Sequence, residues 1–207
     1  MKNNKKIIIG GVVLVGVAIG LAMVYFSNKN KSISKILFIG DSNTAANFSY
    51  ADQLKKDFPD LTIKKISQNG ANTSWMKTQL ENELKNNKYD VVAILGGSND
   101  VYGGQKLDFS KNNLSSMYNL IHDKGYKVLA VTPPNKNFYV NKTDAKQKTL
   151  TDLVSWIKNN KDVDYFIDFN NITNNKNYFT SADGYLHPQS SAHKILEQQT
   201  VQKLNLA

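Results

Sequence analysis

At 207 residues the chain suffices for one domain and a short appendage, since compact domains commonly span roughly 100–200 residues, and an apolar share of 41% excludes wholesale disorder. The net charge of +9 is gathered at one end: Lys2, Lys5, Lys6, Lys29 and Lys31 flank a single apolar run, while from residue 32 onward 21 lysines face 17 carboxylates. The sequence has no arginine, the usual bidentate reader of phosphate and guanine, which argues against a nucleic-acid partner; the lack of cysteine removes disulfides, thiolate metal sites and a cysteine nucleophile.

Residues 1–6 form a short basic segment, expected to stay in the cytoplasm. Residues 7–26 then run without a charge. As a helix they would be about 30 Å long, the thickness of a bilayer's hydrocarbon core. The run ends in Leu21-Ala22-Met23-Val24-Tyr25-Phe26, with bulky residues where a signal-peptidase site needs small ones. A transmembrane signal anchor is the expectation, and a cleaved signal peptide the alternative. Residues 27–34, rich in Lys, Asn and Ser, read as a linker. The protein would then be single-pass at the cell membrane, with the domain of residues 35–207 outside.

From Lys35 onward, short β-branched runs alternate with longer amphipathic stretches. Strands are expected at Lys35–Ile39, Leu61–Ser67, Val91–Leu95, Lys127–Thr132 and Tyr165–Phe169. Helices are expected at about Tyr50–Phe58, Thr73–Asn86, Phe109–Lys124, Thr143–Asn160 and Ser190–Leu204. This alternation predicts a three-layer α/β/α sandwich around a mostly parallel five-stranded sheet. Functional groups in such sheets collect beyond the carboxyl ends of the strands.

Three of those ends carry small and polar residues: Gly40-Asp41-Ser42-Asn43-Thr44, Gln68-Asn69-Gly70-Ala71-Asn72 and Gly96-Gly97-Ser98-Asn99-Asp100. A fourth block, Asp183-Gly184-Tyr185-Leu186-His187-Pro188, precedes the last helix. Singly, each block reads as an ordinary turn or cap. Together and in this order they resemble the SGNH (GDSL-type) hydrolase family, over the whole stretch from about Lys35 to the end.

The resemblance implies the flavodoxin-like fold of that family, with Ser42 as nucleophile. It also implies an oxyanion hole made by the backbone N–H of Ser42, the backbone N–H of Gly70 and the side-chain amide of Asn99. A serine hydroxyl needs a base within hydrogen-bond reach. Of the three histidines, His122 closes a helix and His193 lies inside one, and both are expected to be solvated; His187, in a loop fixed by Gly184 and Pro188, is the candidate base. The family usually carries its acid three residues before the histidine, where this chain has Gly184. Asp183, four before, is the favoured third member, with a backbone carbonyl as the alternative. Asp41 and Asp100 are read as loop braces.

Neither the Gly-x-Ser-x-Gly elbow nor a dinucleotide, P-loop or zinc-protease motif occurs, so neither cofactor nor metal is expected. The expected activity is that of an outward-facing serine esterase working through an acyl-serine, with O-acetyl groups on cell-surface glycans as substrate. Tyr102–Lys106 and Asn135–Asn141, with Phe138 and Tyr139, are polar segments that could rim such a site. A lipase, lysophospholipase or acyltransferase would use the same residues. A catalytically silent glycan-binding module is the alternative of another class.

Overall fold

Val91-Val92-Ala93-Ile94-Leu95 is buried at every position, which requires cover on both faces of the sheet it belongs to. The structure, a computed structural model, describes residues 32–206. Five strands, β1 (Lys35–Gly40), β2 (Thr62–Ser67), β3 (Val91–Leu95), β4 (Lys127–Val131) and β5 (Tyr165–Ile167), pair in the order β2-β1-β3-β4-β5. Every pairing is parallel. The chain therefore moves outward from β1 to β2, then returns to place β3 on the other side of β1. The carboxyl ends of β1 and β3 face a crevice where the connections diverge.

Helix α1 (Ser42–Ala45) is one short turn after β1, and α2 (Tyr50–Asp57) follows it. Next come α3 (Thr73–Glu83), the short α4 (Ser98–Tyr102), α5 (Leu107–Asp123) and α6 (Asp144–Lys158). A last short turn, α7 (Phe169–Ile172), precedes α8 (Ser190–Leu204). Alternating strand residues divide the core in two. Leu37, Ile39, Val92, Ile94 and Val128 pack with Met76 and Leu80 of α3, Met117 and Ile121 of α5 and Leu153 of α6. Ile36, Phe38, Ala93, Leu95 and Val131 pack on the other face with Tyr50 and Leu54 of α2, Phe169 of α7 and Leu196 of α8. The result is the expected three-layer sandwich.

All five expected strands and five long helices are present, with ends shifted by three residues or fewer. The fifth strand stops at Ile167 rather than Phe169 because the Asp168 carboxylate accepts from Asn171 N at 3.0 Å and starts α7 there. The turns α1, α4 and α7 were beyond sequence periodicity, since four or five residues do not complete two helical turns. β2 is an edge strand guarded by lysines: Lys64 pairs with Glu83 at 2.7 Å and Lys65 with Asp52 at 2.6 Å.

Among the described residues no helix is long and apolar enough to cross a membrane. The expected segments 1–6 and 7–26, and the linker up to residue 31, lie outside the described residues.

Leu80 is fully buried between α3 and the sheet. Leu80→Ala should lower the unfolding free energy by about 2–5 kcal/mol, read as a lower urea midpoint with an unchanged m-value.

Candidate active site

The turn that presents Ser42 begins at Gly40, on the last residue of β1. A Cβ there would lie 2.2 Å from Thr44 Oγ1 and 2.8 Å from the Leu95 carbonyl oxygen on β3. Only glycine lets the chain turn so close to its neighbour. Asp41 follows in extended backbone and caps α1: its Oδ1 accepts from Asn43 N at 2.9 Å and from Asn43 Nδ2 at 2.8 Å. Complete burial pushes the Asp41 carboxyl above the usual carboxylate range, opposed by those two bonds and by the charge of Lys136. Ser42 thus opens a helical turn held from below by a buried brace.

The loop after β2 carries Gly70 at φ +73, in the left-handed region. Nothing lies within 4 Å of the position a Cβ would take. Glycine is therefore favoured there by backbone conformation, since L side chains rarely adopt a positive φ. Beyond it, Asn72 caps α3 by accepting from Trp75 N at 2.9 Å.

After β3, Gly97 (φ +106) turns the chain into α4. Asn99, on the first turn of α4, donates from Nδ2 to the Ala71 carbonyl at 2.9 Å and so binds the third strand end to the second. Asp100 is buried and accepts from Thr73 Oγ1 at 2.7 Å and from Thr73 N. Burial raises its carboxyl above the usual range, while the Thr73 bonds oppose that rise. Both aspartates sit where a brace would be wanted.

The fourth block brings its side chains onto this floor. His187 Nε2 lies 2.9 Å from Ser42 Oγ, and His187 Nδ1 lies 2.9 Å from Asp183 Oδ2. Asp183 also accepts from the backbone N–H of Leu186 and of His187, both at 3.1 Å. Burial alone would raise the Asp183 carboxyl, but the bonds from His187 and these two amides hold it below the usual carboxylate range. The extra residue between Asp183 and His187 is absorbed by two successive left-handed residues, Gly184 (φ +68) and Tyr185 (φ +62). That turn folds the aspartate back beneath its histidine.

The other histidines divide. His122 is partly exposed and pairs with Asp164 at 2.8 Å, beside the amino end of β4 and away from the strand carboxyl ends. His193 corrects the expectation of a solvated residue: it is only 1% exposed, and its ring packs between Phe48 (5.6 Å) and Phe169 (5.5 Å). Burial drives its pKa down to about 4, so the ring is neutral at ordinary pH. Its burial alongside Ala192, Leu196, Glu197 and Thr200 follows the i, i+3, i+4 stripe of α8, a signal present in the sequence but diluted by two polar members.

These groups surround a pocket of about 580 Å³, whose wall includes Ser42, Gly70, Asn99, Tyr102, Lys136 and His193. Asn135 and Lys136 are buried, and of the segment 135–141 Lys136 lines the pocket. Lys136 was not singled out from sequence. No cluster of three or more His, Cys, Asp or Glu suited to a metal occurs among the described residues.

A serine in contact with a histidine that is itself in contact with an aspartate, beyond the carboxyl ends of a parallel sheet, fits the serine ester hydrolase class of site. The model of the GDSL-like lipase/acylhydrolase family matches residues 38–195, and the chain belongs to that family. No curated protein matches. Solved structures share the fold at low identity. The psychrotrophic esterase EstA from Pseudoalteromonas sp. is 17% identical at a TM-score of 0.67, over 83% of this chain and 97% of that one. An acetylxylan esterase from Geobacillus stearothermophilus, in a catalytic-mutant form, is 21% identical at 0.67, over 84% and 94%. A lipase/acylhydrolase from Enterococcus faecalis is 22% identical at 0.67, over 83% and 95%.

Gly40→Ala should force Thr44 and the β1–β3 contact apart, lowering stability by about 1–3 kcal/mol and slowing fluorophosphonate labelling of Ser42. Thermal melting and timed labelling of the same sample read the two effects.

Proposed function

We propose that this serine esterase acts through Ser42 as nucleophile, His187 as general base and Asp183 as the group that orients and charge-stabilises the imidazole. The observation that carries the reading is the pair of 2.9 Å contacts on the two nitrogens of His187. Ser42 Oγ attacks the ester carbonyl as its proton passes to His187 Nε2. The tetrahedral oxyanion forms beside the N–H of Ser42, the N–H of Gly70 and the amide of Asn99. An amide nitrogen carries two hydrogens; one of Asn99's is held by the Ala71 carbonyl, which fixes the direction of the other. His187 then protonates the departing alkoxide, and water, deprotonated by the same ring, hydrolyses the acyl-serine.

The substrate we infer is an O-acetyl group on a cell-surface glycan. Tyr102 on the pocket wall is backed edge-on by Tyr139 at 5.5 Å, an aromatic surface suited to a sugar ring, and Asn69 and Asn99 offer polar partners nearby. An acetylxylan esterase among the fold relatives is consistent with that choice. The apolar stretch 7–26, preceded by three lysines in a very short N-terminal segment and followed by Lys29 and Lys31, would anchor the domain on the outer face of the membrane, where such glycans lie. A second reading, hydrolysis of longer acyl esters, draws on Phe48, which lines the pocket and is 43% exposed. Acyl transfer to a glycan hydroxyl would use the same residues.

Asp183→Asn should lower kcat by about 10³–10⁴-fold with little change in KM, because the amide cannot stabilise the imidazolium. Asn99→Ala should lower kcat by about 10²–10³-fold. Both are read on p-nitrophenyl acetate against Ser42→Ala, and rates near that of the unaltered protein would refute the assignments. A p-nitrophenyl ester series from acetate to dodecanoate tests the substrate class. A steep fall beyond acetate is expected, and a maximum at eight or more carbons would replace the glycan reading with a lipid one.

A further inference from the structure

Lys136 is the least expected side chain at the site: a lysine only 3% exposed, on the pocket wall, with its ammonium donating to the Leu186 carbonyl immediately before His187. Lysine is rarely buried unless its charge is used. Two carboxylates act on it electrostatically, Asp41 from the turn that bears Ser42 and Asp183 from the loop that bears His187. Tyr139 of its own segment adds a ring face 6.0 Å from Nζ.

The backbone that carries Lys136 is fixed. Pro133 and Pro134 lead out of β4, and Asn135 N donates to the buried Thr173 Oγ1 at 2.8 Å, just after α7. Asn137 N donates to Asn135 Oδ1 at 2.7 Å, closing the turn around the lysine. Four residues on, Val140 N donates to the Gly184 carbonyl at 3.1 Å. The segment therefore grips the loop 183–187 at two points, once by backbone and once through the Lys136 side chain.

We propose that Lys136 is a positioning residue for ester hydrolysis: its buried ammonium holds the Leu186 carbonyl, and so the loop 183–187, keeping His187 in register with Ser42. The proposal rests on the assignment of Ser42, His187 and Asp183 given above. It gives Lys136 no contact with substrate. A loop carrying two left-handed residues has an inherent tendency to relax, and displacement of a catalytic base by about 1 Å costs on the order of a hundredfold in rate.

Burial pushes the Lys136 ammonium down to about pKa 8, with Asp41 and Asp183 opposing that fall. The cation is complete below that pH and is lost as pH rises through it, so kcat should decline above about pH 8. The test compares the full-length protein with Lys136→Met, which keeps length and apolar bulk, and Lys136→Arg, which keeps charge. For each, kcat and KM on p-nitrophenyl acetate are measured by pH-stat from pH 6 to 10, together with the fluorophosphonate labelling rate and thermal melting.

Lys136→Met should lose kcat and labelling rate together, by about tenfold to a hundredfold, with KM within about threefold and the decline near pH 8 gone. Lys136→Arg should retain more activity than Lys136→Met and hold it to higher pH. A folded Lys136→Met with kcat within twofold of the unaltered protein overturns the proposal. So does a folded Lys136→Gln with kcat within twofold of the unaltered protein, a measurement that stands even where Lys136→Met fails to fold. Ser42→Ala separates the two levels of the argument. If it is inert and the unaltered protein turns over normally, a silent Lys136→Met removes only the role of Lys136; an unaltered protein inert to both ester and probe removes the triad assignment and this proposal with it.

Discussion

One imidazole reaches across 145 positions of sequence to Ser42: His187 touches Ser42 through Nε2 and Asp183 through Nδ1, at 2.9 Å each. Both contacts are short-range and directional, so the elements that carry them must be placed to within a fraction of an ångström. Sheet order does the coarse placement. Because β1 is flanked by β2 on one side and β3 on the other, the loops bearing Ser42, Gly70 and Asn99 emerge side by side at one edge of the crevice. The loop 183–187 is brought over them by its connection to α8, whose apolar stripe packs on the same sheet face as α2.

Fine placement is the work of buried polar groups. Asp41, Asp100 and Lys136 are each almost wholly removed from water, and an unpaired buried charge costs several kcal/mol. Their bonds explain how the fold tolerates them: Asp41 accepts twice from Asn43, Asp100 accepts from Thr73, and Lys136 donates to Leu186. Each of these bonds ties a strand end or loop to the element next to it. Asn99 does the same without a charge, joining the third strand end to the second through Ala71. The site is thus rigid where its hydrogen bonds cross between loops, and apolar groups in the same positions would fill the space without fixing any direction.

How much of this was legible in the sequence follows from range. Strands and long helices could be read because apolar runs and 3.6-residue stripes are local, and Val91–Leu95 matches its expected bounds at both ends. The four motif blocks could be read because each sits at a strand end or just before a helix. The closeness of Asp183 to His187 could be offered only as an expectation, since it depends on two residues, Gly184 and Tyr185, both adopting positive φ; nothing in Tyr185 announces that. Lys136 and His193 were missed for a different reason. The contacts that bury them come from segments 30 to 150 residues away, so Lys136 gives no local sign of burial and His193 only the diluted i, i+3, i+4 stripe of α8.

The charges of the pocket also fit the reaction they surround. In the proposed reaction, attack by Ser42 would separate charge, leaving an oxyanion near Gly70 and Asn99 and an imidazolium on His187. Asp183, held below the usual carboxylate range, is anionic throughout and favours the imidazolium. Asp41, directly before the nucleophile, would disfavour the oxyanion if its own charge were unopposed. Lys136 opposes it, as do the Asn43 bonds, and the same ammonium also interacts with the charge of Asp183. A cation whose charge is felt by both carboxylates lets the buried brace of the Ser42 turn coexist with a centre that would accumulate negative charge in the proposed reaction.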